Sequence, residues 1–153
     1  MAVTVKKISL WRTEVGDRAG ALAELLEPIA GAGTDLQVLM AYRLGTSGRA
    51  AIEIHPVTGK KATDAARRGG FAEAAIPALL VEGDNRAGLG RDIARAVGDA
   101  GISMSFVIAQ VLGRRYSAVF GFDSEADAAR AAAIVKSAAA GRKGAASRGR
   151  SRR

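Results

Sequence analysis

The sequence predicts an α+β fold of two β-α-β-β-α-(β) units, each an antiparallel sheet with its helices on one face. Three observations carry that prediction. The chain of 153 residues matches itself at an offset of 68. Each copy passes through strand-like and helix-like apolar periods in the same order. The length suits one ordinary domain or two small ones, with enough surface removed from water to hold a core without staples. At the offset, Asp17-Arg18-Ala19-Gly20 falls on Asn85-Arg86-Ala87-Gly88, Glu14 on Glu82, Ala32-Gly33 on Ala100-Gly101, and Leu44-Gly45 on Leu112-Gly113. Two copies are too few for a solenoid. The repeat therefore reads as one small domain duplicated, over residues 1–70 and 71–140, followed by a tail at 141–153.

Each copy opens on a strand. Residues 6–14, KKISLWRTE, alternate in the first, and IPALLVEG at 76–83 is the apolar counterpart in the second. A polar turn follows, then a helix. Leu22, Leu25, Leu26 and Ile29 form one apolar stripe, and Leu89, Ile93, Val97 and Ala100 form the other. Both helices run out at Ala-Gly, where Gly33 and Gly101 suit the left-handed position after a helix end. Two strands joined by a glycine turn come next: Asp35 to Leu44 with Arg49 to His55, and Ile102 to Leu112 with Tyr116 to Phe122. A second helix closes each unit, roughly Thr58 to Arg68 and from Ser124 through the alanine run to Ala140. Ser124-Glu125-Ala126-Asp127 reads as a capping-box start. A short fourth strand fits near Phe71 to Ala75. This order matches the ferredoxin-like split βαβ arrangement.

Composition narrows the functions. The chain has no cysteine and a single histidine, His55. That removes disulfides, thiolate sites, multi-histidine metal sites and a serine–histidine charge system. No apolar run approaches the roughly 18 residues of a membrane span, and the N-terminus lacks a secretory layout, so no membrane partner and a cytoplasmic location are expected. The formal charge of +8 is uneven: residues 141–153 hold six arginines and lysines and no acid, leaving +2 for the rest. With no apolar residue larger than alanine, that tail is expected to be disordered, either a solubilising extension or a weak, salt-dependent contact to nucleic acid or an acidic surface.

The strand–helix turn is the repeated feature with chemistry in it. Amides at a helix start favour a carboxylate, Gly20 and Gly88 permit close backbone approach, and Asp17 or Asn85 can accept from an ammonium group. The same geometry makes Asp17 and Asn85 plain N-caps. An acid or amide, Arg, a small residue, Gly and a leucine-bearing helix that closes on Ala-Gly and an apolar strand together resemble the ACT domain. The resemblance covers about residues 6–138 as a tandem pair. It departs from the usual family turn in having Ala19 and Ala87 where proline is common. It implies a small regulatory module that binds an amino acid near the turn, where modules pair sheet edges or helices. On that basis the expected ligand contacts are Asp84, Asn85, Arg86, Ala87, Gly88 and Leu89, their counterparts Asp17, Arg18, Ala19 and Gly20, and Gln37 and Ser103 at the second strands as contacts from a facing module. Asn85 adds no repulsion toward a carboxylate, so the second turn is favoured.

No acid, base and nucleophile converge, and GDNRAGLG lacks the lysine and hydroxyl of a phosphate loop, so neither catalysis nor a cofactor is expected. An RNA-recognition module shares the topology, but RRYSAVFG has Ala118 and Gly121 where stacking aromatics belong. Trp11 and Tyr42 read as core or interface residues, and Glu24 as part of a solvated face. The expected function is a non-catalytic regulatory protein that binds an amino acid or similar small zwitterion. It should act as a homodimer, since exposed sheet edges pair, and through a separate enzyme or regulator. The alternative is a ligand-free dimerisation adapter, with nucleic acid touched only through the tail.

Overall fold

A computed structural model describes residues 3–141; residues 142–153 of the expected tail lie outside them. In chain order the elements are β1 (Thr4–Ile8), β2 (Trp11–Gly16), α1 (Ala21–Gly31), β3 (Val38–Arg43), β4 (Arg49–His55), α2 (Lys60–Arg68), β5 (Ala72–Glu73), β6 (Ala78–Asp84), α3 (Leu89–Asp99), β7 (Met104–Leu112), β8 (Arg115–Phe122) and α4 (Glu125–Ala139). They form two antiparallel four-stranded sheets, β3-β4-β2-β5 and β1-β6-β8-β7. The α+β class and the two ferredoxin-like units follow. The chain divides into one compact unit over Ile8–Ala75 and another that joins residues 3–7 to residues 76–141.

The strand expected over 6–14 is two strands in two sheets. Ile8 and Leu10 are buried on either side of exposed Ser9, and Trp11 is buried directly after Leu10. Two consecutive inward residues cannot belong to one period-2 strand, so the chain changes face at Leu10–Trp11. β2 continues into the sheet of the first unit, pairing Trp11 with Ile54 and Thr13 with Ile52. β1 instead lies beside β6, where it supplies the fourth strand of the second sheet. Gly83 permits that approach: a β-carbon there would stand 2.7 Å from a methyl of Val3. Thr4 Oγ1 donates to the Glu82 carbonyl at 3.3 Å.

In the first unit Trp11, Ile29, Ile52, Ile54, Ala66 and Phe71 form the core, with Leu22, Leu25 and Leu26 packed against it. In the second, Leu79, Val81, Leu89, Ile93, Val97, Phe120 and Phe122 meet Ala128, Ala131 and Val135 of α4. Each large side chain so buried contributes about 1.5–3 kcal/mol. The alanine face of α4 lets that helix sit close to the sheet. Ser124 caps it as the capping box implies, its Oγ accepting from the Asp127 amide at 3.1 Å.

Candidate functional site

The two turns superpose in their hydrogen bonds as well as their residues. The Asp17 amide donates to the Gly48 carbonyl at 2.9 Å and the Asn85 amide to the Arg114 carbonyl at 2.8 Å. Ala21 N reaches Arg18 O at 3.3 Å, and Leu89 N reaches Arg86 O at 3.2 Å. The residue before each helix is the glycine, not the acid or amide: Gly20 and Gly88 hold φ of 87° and 83°. No side chain caps either helix, so the N-cap reading of Asp17 and Asn85 is corrected. A backbone with positive φ suits glycine alone without strain, and it turns the chain into the helix without a capping side chain. The Glu24 and Asp92 amides return to the two glycine carbonyls. Leu22, Ala23, Gly90 and Arg91 keep first-turn amides with no backbone partner among the described residues.

Each turn arginine is held by an acid six residues on, at matching places in the repeat. Arg18 Nη1 donates to Glu24 Oε1 at 3.1 Å, and Arg86 Nη1 to Asp92 Oδ2 at 2.7 Å. Arg18 holds the Glu24 carboxyl below the usual carboxylate range by hydrogen bonding and charge. Arg86, and after it Arg91, do the same for Asp92. Glu24, expected on a solvated face, is therefore a partner of the turn. The acid recurring at the same offset is a signal present in the sequence. The surroundings differ: Glu24 is 63% exposed at its side chain and Asp92 only 12%. Arg86 also donates Nη2 to the Ala138 carbonyl at 3.3 Å, and the Arg91 guanidinium lies 3.1 Å from where a β-carbon on Gly88 would stand.

Of the other expected site residues, Asp84 ends β6 and is paired to Arg115 at 3.2 Å. Ala19, Asn85 and Ala87 are exposed. Leu89 is 2% exposed and packs in the core. Gln37 and Ser103 are exposed just before β3 and β7. Within their own units they stand at the end of the sheet away from the turns, roughly 20 and 30 Å along the strand. Asp17 carries an ion pair to Arg43 Nε at 2.6 Å. Trp11 is in the core with Arg67 over its ring at 6.0 Å. Tyr42 is exposed on the edge strand, its hydroxyl donating to buried Glu53 at 2.9 Å. Burial first, and then Glu53, raise the Tyr42 phenol above its ordinary value.

Two cavities flank the first turn. One of about 190 Å³ lies between the start of α1 and the edge strand, lined by Asp17, Arg18, Leu22, Tyr42, Arg43 and Ile52 among others. The second, about 390 Å³, opens between α1 and the end of α2. Among the described residues there is no cluster of three potential metal-ligating side chains, and no helix is long and apolar enough to cross a membrane.

No protein-family model and no curated protein matches the chain. Solved structures do. A protein of Bacteroides thetaiotaomicron aligns at 15% identity with TM-score 0.66, over 84% of this chain and 87% of that one. The ligand-free regulatory subunit of aspartate kinase from Thermus thermophilus aligns at 14% identity with TM-score 0.61, over 90% and 97%. The aspartate kinase of Clostridium acetobutylicum aligns at 12% and TM-score 0.59, over 90% of this chain and 34% of that enzyme. At these identities the likeness is one of fold, two α+β units in tandem, and the structures that match over most of both chains include a regulatory subunit of aspartate kinase.

Proposed function

We propose that the protein is a non-catalytic regulatory module that binds an amino acid or similar small zwitterion at its first strand–helix turn. The observation that supports this most directly is the Asp17–Arg43 pair beside the bare amides of Leu22 and Ala23, at the mouth of a cavity of about 190 Å³. That volume is about six waters' worth. A zwitterion can exchange one internal ion pair for two external ones: its ammonium to Asp17, its carboxylate to Arg43 and to the positive end of α1. The sequence favoured the second turn, where Arg91 lies over Gly88. The flanking cavities are the reason for placing the ligand at the first. Regulation then follows from differential affinity for one assembly state. The assembly is a homodimer formed through sheet edges, and it acts on a separate enzyme or regulator. Exposed Leu39 and Tyr42 on edge strand β3, and Val107, Ile108, Val111 and Leu112 on edge strand β7, favour such pairing.

The test is a thermal-shift and calorimetric screen of the common amino acids on the full chain. One class of amino acid should raise the midpoint, since saturation at about 100 times Kd is worth about 2.7 kcal/mol. Arg43→Gln should weaken it about tenfold, the loss of one charged hydrogen bond. The second reading, a ligand-free dimerisation adapter, rests on those exposed edge residues. No heat and no shift with any amino acid, in a chain that still sediments as a dimer, would select it.

A further inference from the structure

The two turns carry the same arginine–acid pair but meet helices of different length. α4 has 15 residues and delivers the Ala138 carbonyl to Arg86. α2 has nine and stops at Arg68. Its last carbonyls are taken by its own chain, as Gly69 N, Gly70 N and Phe71 N return to Ala65, Ala66 and Arg67. Among the described residues no carbonyl of α2 accepts from Arg18 as that of Ala138 accepts from Arg86. Beside Arg18 there is instead the cavity of about 390 Å³. Val15, Leu25 and Pro28 give it an apolar lining, and Arg18, Glu24 and Arg68 its polar groups.

The charges that line that cavity do not balance. Glu24 is engaged by Arg18, and Asp64, the acid one turn before Arg68 on α2, is paired with Lys60 and reaches Arg68 only through space. Arg67, its neighbour in the chain, is turned to Trp11. The chemistry left over is a guanidinium with no hydrogen-bonded acid among the described residues, at the rim of an apolar recess, in the place where the other unit supplies alanine methyls and a carbonyl acceptor. We propose that this cavity binds a small aliphatic monocarboxylate, its carboxylate on Arg68 and its hydrocarbon body against Val15, Leu25 and Pro28. A bidentate guanidinium–carboxylate contact and apolar burial account for both halves of such a ligand. An ammonium group has no unengaged acid to meet there, which separates this ligand from the zwitterion proposed at the edge-strand side of the same turn.

The probe is 3-methylbutanoate, titrated into the full chain by calorimetry at fixed ionic strength, with 3-methylbutan-1-amine as the charge-reversed control. Saturable binding with about one site per chain is expected, weakened about tenfold in Arg68→Gln and retained in large part in Arg68→Lys, with no binding of the amine. Arg68 is exposed at a helix end, so these variants should fold as the parent does. Arg43→Gln lines only the smaller cavity and should leave 3-methylbutanoate binding unchanged while it weakens the amino acid. Failure of the two sites is thereby distinguishable. No saturable binding of 3-methylbutanoate, equal binding of the amine, or unchanged affinity in Arg68→Gln would overturn the proposal.

Discussion

The turn at Asp17–Gly20 and the turn at Asn85–Gly88 share a backbone path, a left-handed glycine and an internal arginine–acid pair, yet the acid of one pair is open to water and that of the other covered. Their difference arises about fifty residues further along the chain, in the second helix of each unit. α4 is long enough to put the Ala138 carbonyl on Arg86, and Asp92, held by Arg86 and Arg91, is left 12% exposed. α2 ends early, and Glu24 stays 63% exposed beside two cavities. A repeated motif thus sets the local geometry twice, while access to it is decided by an element that the motif does not contain.

The largest test of the comparison concerns the fourth strands, which also differ. β5 is two residues long and local, whereas β1 comes from the start of the chain and is packed through Val3 onto Gly83. Removing residues 1–7 should cost the second unit about 2–4 kcal/mol, since burial of Val3 alone is worth about 1.5–3. Hydrogen exchange should rise at the β6 amides and hold at β4. Unchanged protection of Leu79 to Glu82 would mean that β1 is dispensable. A smaller effect is expected from ending the chain after Ser137, which gives α4 the open end of α2. Loss of the Ala138 acceptor should cost about 1–2 kcal/mol, read from denaturant midpoints. If the shortened chain then binds 3-methylbutanoate at a second site, helix length alone separates the two turns. An unchanged midpoint would show that the Arg86–Ala138 contact carries no weight.

The helix starts give the next comparison. Ser124→Ala removes a side-chain cap and should cost about 1 kcal/mol. Gly20→Ala forces a β-carbon into φ of 87° and should cost about as much through strain, although no neighbour lies within 4 Å of that β-carbon. Equal stability of Gly20→Ala and the parent would indicate that the turn relaxes, and that its positive φ is not needed to keep the amides exposed.

How far the sequence could be read depends on how local the signal was. The offset of 68 residues placed both turns and both Ala-Gly helix ends, and the helical period within each copy placed the apolar stripes. The structure repeats even the helix-end bonds, Gly33 to Ala30 and Gly101 to Gly98, both at 2.9 Å. Those features need only nearest-neighbour geometry. The strand over 6–14 was misread because its alternation continues through Ser9. The change of face shows only in the adjacent pair Leu10–Trp11, which says that the strand breaks but not which sheet each half joins. The acid partners Glu24 and Asp92 were legible as a recurring residue, yet composition alone made Glu24 a solvated charge. Neither cavity was legible, because each depends on where a distant helix or edge strand ends.

The finest test uses protons. Asp92 and Glu24 both have carboxyl groups held below their ordinary range, by Arg86 and Arg91 in one case and Arg18 in the other. A group depressed on folding adds stability above its unfolded value, about 3.9 for Asp and 4.3 for Glu, and loses it as pH falls through the folded value. Asp92→Asn should therefore be less stable than the parent at neutral pH and approach it in acid, flattening the acid limb of the denaturant midpoint. Glu24→Gln should do the same more weakly, because its pair is open to water and screened by salt. Asp92 takes hydrogen bonds from two arginines and is only 12% exposed, so its acid dependence should persist at high salt while that of Glu24 fades. If the two variants flatten the limb equally and fade together with salt, the covering of Asp92 has no electrostatic consequence. The contrast between the turns would then be one of access only.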